Sequence, residues 1–285
     1  MDRQQNEFYG TLNMTKGRPT TPPPALAQST DVRVAVIGAG WAGLAAALEL
    51  TSQGIHVTLL ERARRLGGRA RALTDDQCDT MQAGLDNGQH ILLGAYRTSL
   101  DLMQRVGVST ESALLRLPLQ LRYADGFALI AAAGGKPQHL FSGLLRAQGL
   151  TWSERIQLAQ KLALAALDGW RCKPELTVAQ WLTATSQRTV ERIWQPLCVS
   201  ALNTPIEEAS AQIFLNVLRD ALLSGPGSSD LLIPRTDFGS LFANPAESWL
   251  KNHGAAVVVG QPAQSLVRSG RRWVVKTPST THEVD

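Results

Sequence analysis

The run Gly38-Ala39-Gly40-Trp41-Ala42-Gly43 constrains this chain more than any other feature, because of what stands on either side of it. Before it, Val32-Arg33-Val34-Ala35-Val36-Ile37 is a short, largely apolar run ending at glycine, the pattern of a buried parallel strand. After it, residues 42–53 are rich in Ala and Leu and stop at Gly54, which suits a left-handed C-terminal cap. His56-Val57-Thr58-Leu59-Leu60-Glu61 then reads as a second strand and completes a strand, helix, strand crossover. In that setting each glycine has a task. Gly38 permits the tight turn, Gly40 lets backbone approach a pyrophosphate with no side chain between, and Gly43 lets helix and strand pack closely. With Ala39, Trp41 and Ala42 they turn a helix N-terminus, its free N–H groups and its positive dipole end, toward phosphates. Glu61 closes the second strand, where a carboxylate can accept hydrogen bonds from an adenosine ribose and disfavours a 2'-phosphate. This is the adenine-dinucleotide half of a cofactor site, and alone it does not separate FAD from NAD.

The next residues do. Arg64-Arg65-Leu66-Gly67-Gly68-Arg69-Ala70 follows the acid and sets a second glycine pair and an arginine beside the same cofactor. Arg62 and Arg69 are candidate cofactor contacts. Any one arginine here could equally be part of a solvated basic face, and Arg69 is the best placed, since a guanidinium has the fork geometry for a diphosphate. At this point the sequence resembles the flavin-containing amine oxidase and phytoene desaturase superfamily, in which the run from acid through Gly-Gly-Arg continues the FAD site. The resemblance implies an α/β fold, a Rossmann-like FAD-binding domain of the glutathione-reductase type, joined to a largely helical substrate region.

Asp86-Asn87-Gly88-Gln89-His90, Gly94-Ala95-Tyr96-Arg97, Trp41 and Leu231-Leu232-Ile233-Pro234-Arg235 narrow the likeness to the squalene-associated branch, the hydroxysqualene dehydroxylases. For this chain the resemblance implies a C30 isoprenoid alcohol, hydroxysqualene, reduced to squalene for hopanoid biosynthesis with reduced FAD as hydride donor. His90 could donate a proton or orient substrate, because its ordinary pKa lies near neutrality. Asn87 and Gln89 could bind the flavin or an allylic hydroxyl, although polar residues beside glycine often serve turns. A carotenoid or phytoene desaturase, or an amine oxidase, would use the same scaffold. A dinucleotide-binding module without turnover is a further alternative. Members of this superfamily continue past the equivalent of Asp285 with another flavin-contacting glycine motif, so the resemblance implies a C-terminally truncated chain.

Composition sets the outer limits. In a chain of 285 residues, 44% hydrophobic and 18% charged, there is material for more than one core. The organisation expected is a disordered extension over 1–30, which ends in Thr20-Thr21-Pro22-Pro23-Pro24, a first FAD-binding segment over 31–110, a mostly helical substrate region over 111–235, and a return to the FAD-binding domain over 236–285. Helices are expected over 96–106, 153–167, 177–184, 188–202, 207–223 and 240–252. Strands are expected over 117–123 and 127–131, around Asp125-Gly126, and over 256–259 and 273–276. Trp152, Trp170, Trp181 and Trp194 make the helical region aromatic, as core or as tunnel lining.

The net charge of +4 gathers partly in Arg62, Arg64, Arg65, Arg69 and Arg71 without interleaved aromatics, which argues against nucleic acid as a partner. Cys78, Cys172 and Cys198 form no CxxC pair, and His56, His139, His253 and His282 show no HExxH spacing, so neither a disulfide framework nor a metal site is encoded. No apolar run approaches the roughly 18 to 20 residues of a bilayer span. The expectation is a cytoplasmic protein that attaches reversibly to the inner membrane to reach its isoprenoid.

Overall fold

The computed structural model describes residues 31–73, 85–131 and 147–285. The extension expected over 1–30 lies outside these residues, as do Cys78 and His139.

The first strand, helix and strand form as the periodicity predicts: β1 (Arg33–Ile37), α1 (Trp41–Ser52) and β2 (His56–Leu60). β1 and β2 pair in parallel, with Val34 opposite Val57 and Ile37 opposite Leu60. α1 lays Leu44, Ala47 and Leu48 against the sheet. It ends because Gly54 turns left-handed at φ +79°, which lets the Gly54 N–H reach the Thr51 carbonyl and the Ile55 N–H reach Leu50.

The chain continues through β3 (Leu92–Leu93), α2 (Arg97–Arg105), α3 (Thr110–Ala113) and β4 (Leu114–Leu117) to the hairpin of β5 (Gln120–Arg122) and β6 (Ala128–Ile130). One strand was expected over 117–123, and two are found. Pro118, which has no N–H to donate, separates β4 from β5, and the two pair with different partners.

Five helices of unequal length follow before a wide turn. α4 (Trp152–Leu167) opens on a capping box of Thr151 and Glu154, and α5 (Val178–Trp181) on one of Thr177 and Gln180. α5 is shorter than the pattern over 177–184 predicts, and the chain turns left-handed at Ala184, φ +64°. α6 (Gln187–Thr189) runs through a π-helical turn, Val190–Trp194, into α7 (Gln195–Leu202). α8 (Ala211–Leu223) starts where the Ser210 side chain accepts the Ile213 N–H.

β7 (Leu231–Pro234) returns the chain, and a second π-helical turn, Gly239–Ala243, leads into α9 (Asn244–Asn252). The remaining strands are β8 (Ala256–Val258), β9 (Ser265–Ser269), β10 (Arg272–Lys276) and β11 (Thr281–Val284). β8 joins β2 in parallel, so the central sheet runs β1-β2-β8. β9, β10 and β11 form an antiparallel sheet beside it, tied to β1 where the Asp285 N–H donates to the Arg33 carbonyl at 2.9 Å. β7 lies between β3 and β4, antiparallel to both.

Burial divides into two large cores. One joins Leu44, Leu48 and Leu59 to Met103, Phe238, Leu241 and Leu250. The other is helical, with Trp170, Trp194, Phe214 and Leu215 at its centre. Trp181 and Trp194 meet edge to face at 5.4 Å, and both meet Phe214.

Candidate functional site

The glycine turn stands at the carboxyl end of β1. Gly38 has φ +96°, and its N–H donates to the Leu60 carbonyl at 2.7 Å, which draws the turn over the end of β2. A Cβ on Gly43 would overlap the Gly38 carbonyl oxygen, so the close passage of helix and strand requires glycine there. Gly40 is the N-cap of α1. It carries no capping side chain, and the first turn holds no acid, so nothing on this element competes with an anion for the helix N-terminus.

The second glycine pair crosses the first. Gly40 and Gly67 form a parallel bridge, with the Gly67 N–H donating to the Ala39 carbonyl at 2.8 Å. A Cβ on Gly68, which sits at φ +63°, would stand 3.1 Å from the Gly40 Cα. Two backbone segments bare of side chains therefore meet at one point, a cradle suited to a diphosphate and the group beyond it.

Glu61 lies at the edge of this cradle, 8% exposed. Its carboxylate accepts the Ala39 N–H at 2.7 Å and the Ala63 N–H at 2.8 Å. It thus ties the first turn to the segment that leads into the second. Each oxygen keeps a further lone pair. Trp41 packs on Phe238 and Phe242, with ring centroids 5.3 and 5.0 Å apart, and its buried Nε1 has no partner among the described residues. Ala42, Arg62 and Arg69 are exposed.

The polar run after residue 84 folds back onto the cradle. The Asn87 N–H donates to the Arg71 carbonyl at 2.9 Å, and Asn87 Nδ2 to the Arg69 carbonyl at 3.3 Å. A Cβ on Gly88 would stand 3.2 Å from that same Arg69 carbonyl. His90 is exposed and meets Phe238 edge-on at 5.8 Å, while Gln89 is exposed beside it. Asp86 stands in the run singled out in the sequence but had no role there, and Phe238 was not singled out. Asp86 accepts the Phe238 N–H at 2.8 Å, and burial pushes its carboxyl above the ordinary carboxylate value against the pull of that N–H. The presence of Asp86 in the same short polar run was the available signal; nothing local marked Phe238.

Immediately after His90 the chain enters the wall of an apolar cavity of about 420 Å³. Ile91, Leu93 and Tyr96 form one side, and Leu158, Trp170, Trp194, Leu197 and Phe214 are among the helical residues opposite. Of the four tryptophans noted in the helical region, Trp170 and Trp194 line the cavity and Trp181 packs behind Trp194. Trp152 does neither: it is 68% exposed, with the Arg155 guanidinium over its ring at 4.8 Å.

The model of the family described as flavin containing amine oxidoreductase matches residues 41–284. The chain belongs to that family. Its cofactor is FAD, and the crossed glycine segments and uncapped helix N-terminus of this chain fit that group. Among similar proteins, a hydroxysqualene dehydroxylase of Rhodopseudomonas palustris is 28% identical over 248 residues, 84% of this chain and 55% of its own length. One of Sinorhizobium fredii is 26% identical over 83% of this chain and 55% of its own. A zeta-carotene desaturase of Zea mays is 25% identical over 69% of this chain and 36% of its own. The chain thus spans about half the length of the hydroxysqualene dehydroxylases it matches. The fold is shared with solved structures of an oxidoreductase from Methanosarcina mazei, at TM-score 0.63 and 17% identity over 89% of this chain and 57% of that one. A fatty acid isomerase from P. acnes matches at TM-score 0.63 and 18% identity, over 91% and 58%.

Proposed function

We propose that this chain is part of an FAD-dependent oxidoreductase that acts on a long isoprenoid alcohol, and that the reaction is the reductive dehydroxylation of hydroxysqualene to squalene. The observation that supports it most is continuity: the segment that packs Gly88 on the Arg69 carbonyl at the cradle runs three residues later into the wall of the apolar cavity. A redox site and a hydrocarbon site share one strip of backbone.

Under this reading the protein's own residues divide the work. Gly38, Gly40, Gly43, Gly67 and Gly68 let the diphosphate approach backbone, Glu61 uses its remaining lone pairs on the ribose, and Arg62 or Arg69 swings from solvent to the phosphates. The region over 31–110 with 236–285 serves the cofactor, and 111–235 holds the chain of the substrate. An allylic hydroxyl leaves as water once protonated, and His90, which meets Phe238 edge-on and directly precedes Ile91 of the cavity wall, is the group we assign to that proton, with Asn87 and Gln89 orienting it. Reduced FAD supplies the hydride when bound. The apolar wall keeps bulk water from the developing cation.

The partner surface follows from the substrate, which resides in bilayers. None of the described helices is long and apolar enough to cross a membrane. α4 instead presents Trp152, Ile156, Leu164 and Leu167 to solvent, Leu167 at 83% exposure, while Leu158 and Leu162 on its other side line the cavity. Its one carboxylate, Glu154, is turned inward. Such a helix suits reversible attachment at the cytoplasmic face of an anionic membrane.

The test is incubation of the chain with FAD, a reductant and hydroxysqualene, with phytoene and amines in parallel. Squalene formed from the first alone is expected. Turnover of phytoene or of an amine in its place overturns the substrate assignment, and FAD binding with no turnover of any of the three favours the module without catalysis.

A further inference from the structure

The wall of the cavity is nearly all hydrocarbon. Its hydroxyl-bearing residues are Tyr96, Ser200 and Ser229, of which Tyr96 and Ser200 are exposed. Ser229 differs, being 3% exposed. Its neighbour Ser228 is equally buried, but the Ser228 hydroxyl donates to the Gly225 carbonyl at 2.8 Å. The Ser229 hydroxyl is engaged by no other described residue. Beside an apolar cavity, a hydroxyl with no partner among the described residues is a group that a ligand's own polar atom can satisfy.

The turn that carries Ser229 is fixed from several sides. Arg116 on β4 donates to the Gly227 carbonyl at 3.2 Å and pairs with the Asp230 carboxylate at 3.0 Å. The Gly94 N–H donates to the Asp230 carbonyl at 2.9 Å, and a Cβ on Gly94 would overlap the Gly227 carbonyl oxygen. The run 224–229, Ser-Gly-Pro-Gly-Ser-Ser, breaks the helical pattern of the sequence and reads as a return crossing between regions. In the structure it is a tightly held loop that places Ser229 in the cavity wall.

We infer that Ser229 is a specificity-determining residue: it hydrogen-bonds the one hydroxyl of an otherwise hydrocarbon ligand, and so sorts isoprenoid alcohols from isoprenoid hydrocarbons. This rests on the reading of the cavity as the isoprenoid site. The chemistry suits the pair, because a serine hydroxyl and an alcohol can each donate and accept. A site built to bond a hydroxyl also discriminates more sharply against a ligand that lacks it than an apolar pocket does against one that carries it.

The experiment compares farnesol with farnesene, the same isoprenoid skeleton with and without the hydroxyl. Binding is followed by quenching of tryptophan fluorescence, since Trp170 and Trp194 line the cavity. The wild-type chain is expected to bind farnesol about tenfold more tightly than farnesene. Ser229→Ala should erase that preference and leave farnesene affinity unchanged, and Ser229→Thr should keep it. A preference that survives Ser229→Ala, or a wild-type chain that binds both ligands equally, overturns the role of Ser229 while leaving the cavity assignment in place. Failure of the wild type to bind either ligand overturns the cavity assignment itself, and this inference with it. Should Ser229→Ala lose farnesene binding as well, Ser229→Thr decides: retained hydrocarbon binding without the alcohol preference would reject the inference, and retained preference would support it.

Discussion

Gly40 and Gly43 belong to one motif, yet their surroundings assign them different work. At Gly43 a methyl group would run into the Gly38 carbonyl, so the residue is required by the fold. Gly43→Ala is expected to destabilise the chain by about 1–3 kcal/mol, as overpacking at a tight contact does, and chemical denaturation measures it. Gly40 has φ −69°, open to any residue, and an added Cβ would sit 3.9 Å from the Gly68 Cα, an ordinary contact. What it keeps clear is the approach to the backbone. Glu154 makes a prediction of another kind. The Thr151 N–H, then the Thr151 and Ser186 hydroxyls, hold its carboxyl below the ordinary glutamate value against burial. A carboxyl depressed in the folded state contributes stability above its unfolded pKa and loses it as pH falls through the folded one. Glu154→Gln should therefore lower stability at neutral pH, by about 1 kcal/mol as charge-assisted hydrogen bonds become neutral ones, and flatten the acid limb of the stability curve. An unchanged acid limb in thermal melts between neutral and acid pH would count against that assignment.

Among the elements, α4 has two apolar sides. Leu158 and Leu162 line the cavity, whereas Trp152 and Leu167 are exposed. Exchanging the outward pair, Trp152→Ser with Leu167→Asp, is expected to change stability by no more than about 0.5 kcal/mol. The same change should abolish flotation with anionic vesicles; flotation equal to wild type would remove α4 as the attachment surface. How much of each element was legible depended on whether its signal was local. The β1-α1-β2 unit was readable within a residue or so because glycine, apolar period and terminal acid all lie within one short stretch. α4 and α8 were readable from apolar spacing. β9 was not, since every residue from Ser265 to Ser269 is exposed and its pairing with β10 is all that defines it. The strand expected over 117–123 is found as the shorter β5, and β4 before it is set apart at Pro118, whose meaning emerges only once β7 is seen to claim β4. In the candidate site the glycines and Glu61 could be named from sequence. Phe238 and Ser229 could not, nor could the part played by Asp86, because what distinguishes them is a contact with, or a burial among, residues distant in the chain.

For the whole molecule, the arrangement couples two cores through one strip of backbone: Asn87 and Gly88 lie on the cradle, and Ile91 and Leu93 lie on the cavity. Anything that binds the folded state stabilises it by mass action, and FAD at a hundredfold excess over its dissociation constant should add about 2.7 kcal/mol. The central claim is that bare backbone at Gly40 admits a dinucleotide. Titration of the purified chain with FAD, followed by flavin fluorescence and by thermal melting for wild type and Gly40→Ala together, tests it most directly. The account predicts that wild type binds FAD and melts higher with it, and that Gly40→Ala melts within about 1 kcal/mol of wild type without ligand but loses at least about tenfold in FAD affinity. Equal FAD affinity for the two proteins, or no binding by wild type, would contradict it.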